Sequence, residues 1–305
     1  MALTGRTDMN QVSTQPAVGF IGLGIMGGAM AARLAAAGYP LHVYNRSRAK
    51  AEPLLAVGAH WHDTPASLAA AAEIVVTIVG MPADVRALYL GEAGLIAHAR
   101  PGAVLIDMTT SSPALAREMA GHATARGIDM LDAPVSGGDV GAREGRLSIM
   151  IGGHAPVLAR VEPMLRCLGA NIVMQGGPGA GQHAKLCNQI VIASTMLGVC
   201  EGLAYAQSAG LDPHTVLSAI GGGAAGGFLL NNLGPRIVRG DFAPGFFVEH
   251  FIKDMRIASE EARDMGRALP ALELARRLYG QLADAGHASS GTQALFKIYD
   301  EEGAQ

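Results

Sequence analysis

The chain has 305 residues, enough for one large domain or two ordinary ones at roughly 100–200 residues per domain. Half of it is apolar, 16% is charged and the formal charge is −3, a balance that argues against disorder and against a basic nucleic-acid binder. Three cysteines (Cys167, Cys187 and Cys200) are too few for a disulfide framework and read as reduced thiols of a cytoplasmic protein.

Residues 1–15 are polar with little periodicity and no apolar core, so a loose N-terminal extension is expected there rather than a secretory signal. An apolar run at 17–21 ends in glycine, and an Ala-rich helix at 25–37 is closed by Gly38. A second strand is predicted at 41–44 and a third at 74–79, the latter continuous and branched like a strand buried on both faces. Further strands are predicted at 103–106, 128–131, 147–151 and 171–174, with helical patterns between most of them. This alternation predicts an α/β domain with a mostly parallel, doubly wound, Rossmann-type sheet.

After Gly181 the strand patterns stop, and helices are predicted at 183–209, 213–220, 247–265 and 270–284. The composition changes at Gly176-Gly177-Pro178-Gly179, which sets an α/β domain at 16–177 and an all-α domain at 178–305. The most apolar stretch, 186–200, is about 15 residues long, too short for a bilayer span. It is expected to be a helix buried on most faces, with no membrane partner. Low charge and this helix together suggest a homodimer or homotetramer.

Gly22-Leu23-Gly24-Ile25-Met26-Gly27 follows a strand and opens a helix, the context in which G-x-G-x-x-G binds a dinucleotide. The glycines allow a tight turn, close approach to a pyrophosphate and close helix packing. The helix N-terminus then supplies free N–H groups to the anion. At the end of the second strand an NAD enzyme places an acid against the ribose hydroxyls. This chain has Asn45-Arg46-Ser47 there, and a guanidinium suits a 2′-phosphate, so NADP(H) is expected over NAD(H).

Asp132-Ala133-Pro134-Val135-Ser136-Gly137-Gly138 follows the strand at 128–131, at the sheet edge where ligands bind. Ser136, Gly137 and Gly138 could form an anion nest for a substrate carboxylate. Lys185 and Asn188 are three apart on the predicted long helix and share a face. A lysine entering so apolar a region has a lowered pKa and can transfer a proton. Among the ten histidines, His60-x-His62 invites a metal reading, but no set has zinc-site count and spacing, and no metal is expected.

Taken together, Gly19–Gly27, Asp107-Met108-Thr109-Thr110, Asp132–Gly138, the segment from Gly179 to Asn188, and Lys253-Asp254 resemble the β-hydroxyacid dehydrogenase family, across residues 17 to about 298. The resemblance implies a 6-phosphogluconate dehydrogenase-like fold and an NAD(P)-dependent oxidoreductase acting on a CH–OH group. It implies Lys185 as the catalytic lysine with Asn188 holding substrate. It implies Ser136, Gly137, Gly138 and Lys253 at the substrate, and Gly22, Gly24, Ile25, Met26, Gly27, Asn45, Arg46, Ser47, Met81, Pro82, Thr110 and Lys253 at the cofactor. The implied reaction interconverts a short β-hydroxyacid and its aldehyde acid, with 2-hydroxy-3-oxopropionate the first substrate expected. The alternatives are 3-hydroxyisobutyrate, succinate semialdehyde, an imine, or a non-catalytic dinucleotide sensor. Two positions depart from the family's habit: Arg33 in the first helix, expected to serve packing, and Met81 before Pro82.

Overall fold

Ile74–Thr77 is buried at every position, as four apolar or branched residues covered from both sides must be. It lies near the middle of the sheet in a computed structural model that describes residues 15–302. The extension expected at 1–15 falls outside the described residues except for Gln15. Among the described residues nine strands form the sheet: β1 (Val18–Ile21), β2 (Leu41–Tyr44), β3 (His60–Trp61), β4 (Ile74–Thr77), β5 (Val104–Asp107), β6 (Asp129–Asp132), β7 (Val135–Ser136), β8 (Ser148–Gly152) and β9 (Asn171–Gly176). Their order is β3-β2-β1-β4-β5-β6-β8-β7, with β9 also on β8.

Six strands, β3 through β6 in that order, are parallel. The sequence of elements reverses at β1, which pairs with both β2 and β4. Ligands bind at the carboxyl edge of such a switch point. The sheet is mostly parallel, as expected; the exception is β8, which runs antiparallel to β6 and β7. The segment Asp132 to Ser136 continues along β8 in one register, Asp132 opposite Gly152 and Ser136 opposite Ser148. It breaks only at Ala133-Pro134, where proline has no N–H to give.

Alternation along the strands divides the core. Val18, Phe20, Val76 and Ile106 face the helix Ile25–Ala36, packing on Met30 and Leu34. Ile21, Val75 and Leu105 face the other way, onto Leu68, Tyr89 and Met119. A separate apolar cluster, from Leu186 to Phe296, fills the helical part of the chain. Its anchor is Phe251, edge-on to Tyr279 at 5.1 Å; truncating such a buried aromatic to alanine costs about 3–5 kcal/mol. Arg33 donates to the carbonyls of Cys167 (2.7 Å) and Arg143 (3.1 Å). It ties the first helix to the far half of the sheet domain.

The long helix runs Ala180–Ser208, 29 residues, starting earlier than the pattern suggested. Among the described residues it is the one helix long and apolar enough to cross a membrane by length and composition, whereas the apolar run of about 15 residues within it reads as too short for a span. Its Leu197, Cys200 and Leu203 are buried in the helical cluster. It is not covered all round: Val191 is 64% and Tyr205 74% exposed. Its start is pinned by Asp132, whose carboxylate accepts from the N–H groups of Gly179 (2.8 Å) and Gln182 (2.9 Å). Gly181 sits so close to the sheet that a Cβ there would lie 2.4 Å from the carbonyl oxygen of Met150.

Candidate active site

The carboxyl ends of β1, β2, β4, β5 and β6 converge on one edge, and the long helix begins beside them. Gly22 has φ +96°, and a Cβ there would strike the Ile78 carbonyl at 2.0 Å. Only glycine makes this turn. Gly24 differs: a Cβ on it would meet no protein atom within 4 Å, and no side chain caps the helix it opens. Open space over an uncapped helix N-terminus fits a pyrophosphate. Asn45 Oδ1 accepts from the Leu23 N–H at 3.0 Å and fixes this loop to the end of β2.

Arg46 is 83% exposed beyond Asn45, with its guanidinium 3.6 Å from Asp84. No acid follows β2 in the sequence, yet the fold brings Asp84 from the helix Pro82–Leu90. An exposed pair of this kind holds by about 0–1 kcal/mol, so a phosphate can displace the carboxylate. Met81 precedes that helix and Pro82 opens it. Asp84 also accepts from the Met81 N–H at 3.2 Å.

At the other end of the edge, Ser136 Oγ lies 3.4 Å from Asn188 Oδ1. Ser136 belongs to β7, and Gly137 and Gly138 after it have positive φ, +134° and +64°. Asn188 Nδ2 donates to Gln189 Oε1 (2.7 Å), and Gln189 Nε2 donates to Asp254 Oδ2 (2.6 Å). Asp254 Oδ1 is 2.9 Å from Lys253 Nζ without hydrogen-bond alignment. Lys253 Nζ donates instead to the Thr110 carbonyl at 2.6 Å. Thus the helix Val248–Asp264 reaches across to the sheet.

Lys185 is 7% exposed. Burial pulls its ammonium down to about 8; the Asp254 carboxylate opposes this and the Lys253 charge adds to it. A lysine so placed exchanges a proton near neutral pH. Asp107 at the end of β5 is pushed up to about 6 by burial, although Thr77 Oγ1 (2.9 Å) and the Thr109 N–H (3.1 Å) donate to it. His250 is half-buried, with burial lowering its pKa. Its ring sits edge-on to Phe247 and close to Gly80 in the loop after β4.

Sequence reasoning missed Asp84, Gln182, Gln189 and the charge of Asp254. Asp254 stood beside Lys253 in a quoted motif, but nothing local showed that it faces Lys185. His42 and His62 are hydrogen-bonded at 2.8 Å, ring to ring, and the His60 ring lies tilted beside His42 at 5.4 Å. Among the described residues no group of three or more His, Cys, Asp or Glu could hold a metal ion.

Residues 17–177 match the family described as the NAD binding domain of 6-phosphogluconate dehydrogenase. Residues 179–299 match that described as the NAD-binding domain of NADP-dependent 3-hydroxyisobutyrate dehydrogenase. The chain therefore belongs to the β-hydroxyacid dehydrogenase family of NAD(P)-dependent oxidoreductases. It is 50% identical to the uncharacterized oxidoreductase YkwC of Bacillus subtilis, over 92% of this chain and 98% of that one. It is 38% identical to the 2-hydroxy-3-oxopropionate reductase of Escherichia coli, over 93% and 97%. The crystal structure of a 3-hydroxyisobutyrate dehydrogenase from Salmonella typhimurium superposes with a TM-score of 0.85 at 28% identity, covering 93% and 100%.

Proposed function

We propose that this oxidoreductase reduces a short aldehyde acid to its β-hydroxyacid with NADPH, and that 2-hydroxy-3-oxopropionate is its first substrate. The observation that carries this reading is Lys185, a desolvated lysine of pKa about 8 at the edge where Ser136 and Asn188 meet. When bound, the nicotinamide supplies the hydride. The chain's own work is binding and proton transfer. The main chain of Gly24, Ile25, Met26 and Gly27 holds the pyrophosphate. Asn45, Arg46 and Ser47 take the adenosine ribose and its phosphate, and Met81, Pro82 and Thr110 line the nicotinamide side. The N–H groups of Gly137 and Gly138, with the Ser136 hydroxyl, take the substrate carboxylate.

Lys185 as ammonium donates a proton to the oxygen of the carbonyl being reduced; as the neutral amine it takes that proton back in oxidation. Such acid–base help is worth about 10²–10⁴-fold. Asn188 orients the substrate. Lys253 places its charge at the cleft and is held by Thr110. In this reading the chain divides at 177 and 178 into a cofactor-binding and a helical domain, supported by the separate apolar cores. The protein is cytoplasmic, in keeping with its three free thiols. It assembles as a dimer or tetramer, in keeping with Val191 and Tyr205 left bare on the long helix. Light scattering that finds a monomer at micromolar concentration contradicts the assembly.

The test is initial rates on 2-hydroxy-3-oxopropionate, methylmalonate semialdehyde and succinate semialdehyde, each with NADPH and NADH. Fastest turnover of the first with NADPH supports the reading. A clear preference for NADH removes the role of Arg46, and preference for another acid moves the substrate. Silence on all three with NADPH bound points to an imine substrate or a cofactor sensor.

A further inference from the structure

Gln182 is fully buried in the first turn of the long helix, three residues before Lys185 and on the same face. Its side-chain amide brackets a single residue of the loop after β5. Nε2 donates to the Thr109 carbonyl at 2.8 Å, and Oε1 accepts from the Ser111 N–H at 2.8 Å. Between those two contacts lies Thr110, whose carbonyl holds Lys253 Nζ. The same loop is fixed from below, since the Thr109 N–H donates to Asp107 and Thr109 Oγ1 accepts from the Val79 N–H at 3.0 Å. The Gln182 N–H is itself anchored on Asp132.

One planar group therefore joins three segments: the loop after β5, the long helix and, through Thr110, the helix of Lys253. The two lysines' helices also meet directly where Gln189 Nε2 donates to Asp254 Oδ2. We infer that Gln182 is a positioning residue that holds the Thr110 carbonyl, and with it Lys253, in register with Lys185. The chemistry requires an amide, because one contact needs a donor and the other an acceptor on the same flat group. An ionised carboxylate presents an oxygen to the Thr109 carbonyl. A methionine leaves a buried N–H and a buried C=O without partners, each costing about 1–3 kcal/mol.

The inference rests on the proton-transfer role proposed for Lys185, so its test has one arm that needs no substrate. In the full chain, first without and then with saturating NADPH, the Lys185 side-chain nitrogen is titrated by NMR with 15N-labelled lysine. Wild type is expected to titrate near 8. In Gln182→Met, release of the Lys253 charge is expected to move the titration up by about half a pH unit or more. The second arm follows reduction of the best aldehyde acid against pH. Gln182→Glu is expected to recover to within about threefold of wild type at the acid end, where a protonated carboxyl donates to Thr109, and to fall about tenfold or more before pH 7.5. Gln182→Met stays low at every pH.

An unmoved Lys185 titration in Gln182→Met, whatever its melting temperature, overturns the inference. So does a Gln182→Glu profile parallel to wild type. If wild type reduces none of the acids, the functional reading fails and the NMR titration alone decides the role of Gln182.

Discussion

At the β1 end of the cleft the surface offered to a ligand is main chain, open to solvent and flanked by an arginine that is 83% exposed. At the long-helix end it is side chains, with Lys185, Lys253, Asp254, Gln182 and Gln189 all buried. In the proposed function the two ends do different work and so need different materials. An anion can be held by aligned N–H groups and a helix dipole, which a short local motif provides. Proton transfer near neutral pH needs a charge taken out of water, and a buried charge must be surrounded by partners. Those partners come from elsewhere in the chain: the Gln189–Asp254 contact spans 65 residues and the Lys253–Thr110 contact 143.

The comparison can be broken at either end. The largest effect is expected from Lys185→Ala, which lowers turnover by about 10²–10⁴-fold while the dissociation constant for NADPH, read by fluorescence titration, stays within about twofold. Loss of cofactor binding along with activity would merge the two ends into one. Next comes Gly24→Val. Its new side chain meets no protein atom near Cβ but fills the pyrophosphate space, so cofactor affinity falls about tenfold or more with an unchanged melting temperature. Gly22→Val, which collides with the Ile78 carbonyl, lowers the melting temperature instead.

A smaller effect is expected from Arg46→Ala. NADPH binding weakens by about 1–2 kcal/mol, the worth of charge-assisted contacts to a phosphate. NADH binding and stability stay as they were, since the exposed pair with Asp84 contributes little. Equal weakening for both cofactors would contradict the phosphate role. An effect of similar size, on stability rather than binding, concerns Asp107. Burial raises its pKa to about 6, above the unfolded value of about 3.9. The native state therefore binds this proton more tightly. The stability so gained is fully present below about pH 4 and is lost as pH rises through about 6. Asp107→Asn removes the titration, so its stability relative to wild type should climb by on the order of 1–3 kcal/mol between pH 4 and 7. Denaturant melts at the two pH values check it, and a pH-independent difference would count against a buried ionisation.

The difference between the ends also explains what the sequence made legible. The strand–glycine–helix unit at 18–36 is local, and its period and punctuation lie within one window. Lys185 was legible because the apolar run that follows it lies on its own helix. The direction of β8 was not, because a five-residue run such as Ser148–Gly152 reads the same parallel or antiparallel. The start of the long helix at Ala180 was hidden by Gly179 and Gly181, which resemble a loop until the sheet packed against Gly181 is seen. Asp84 beside Arg46 was invisible because contacts between side chains from separate segments leave no periodic trace. The brackets that Gln182 makes to residues 71 and 73 positions away were hidden for the same reason.

The central claim is that the buried Lys185 carries the proton. The most direct measurement is kcat/KM against pH in both directions, on the substrate the panel selects. Oxidation needs the neutral amine, so its rate should rise with pH and level off above about 8. Reduction needs the ammonium, so its rate should be flat below about 8 and fall above it. Two limbs of opposite sign at one pH, absent from the residual activity of Lys185→Met, are the predicted result. A flat profile from pH 7 to 9, or a limb that persists without the lysine, would contradict the account.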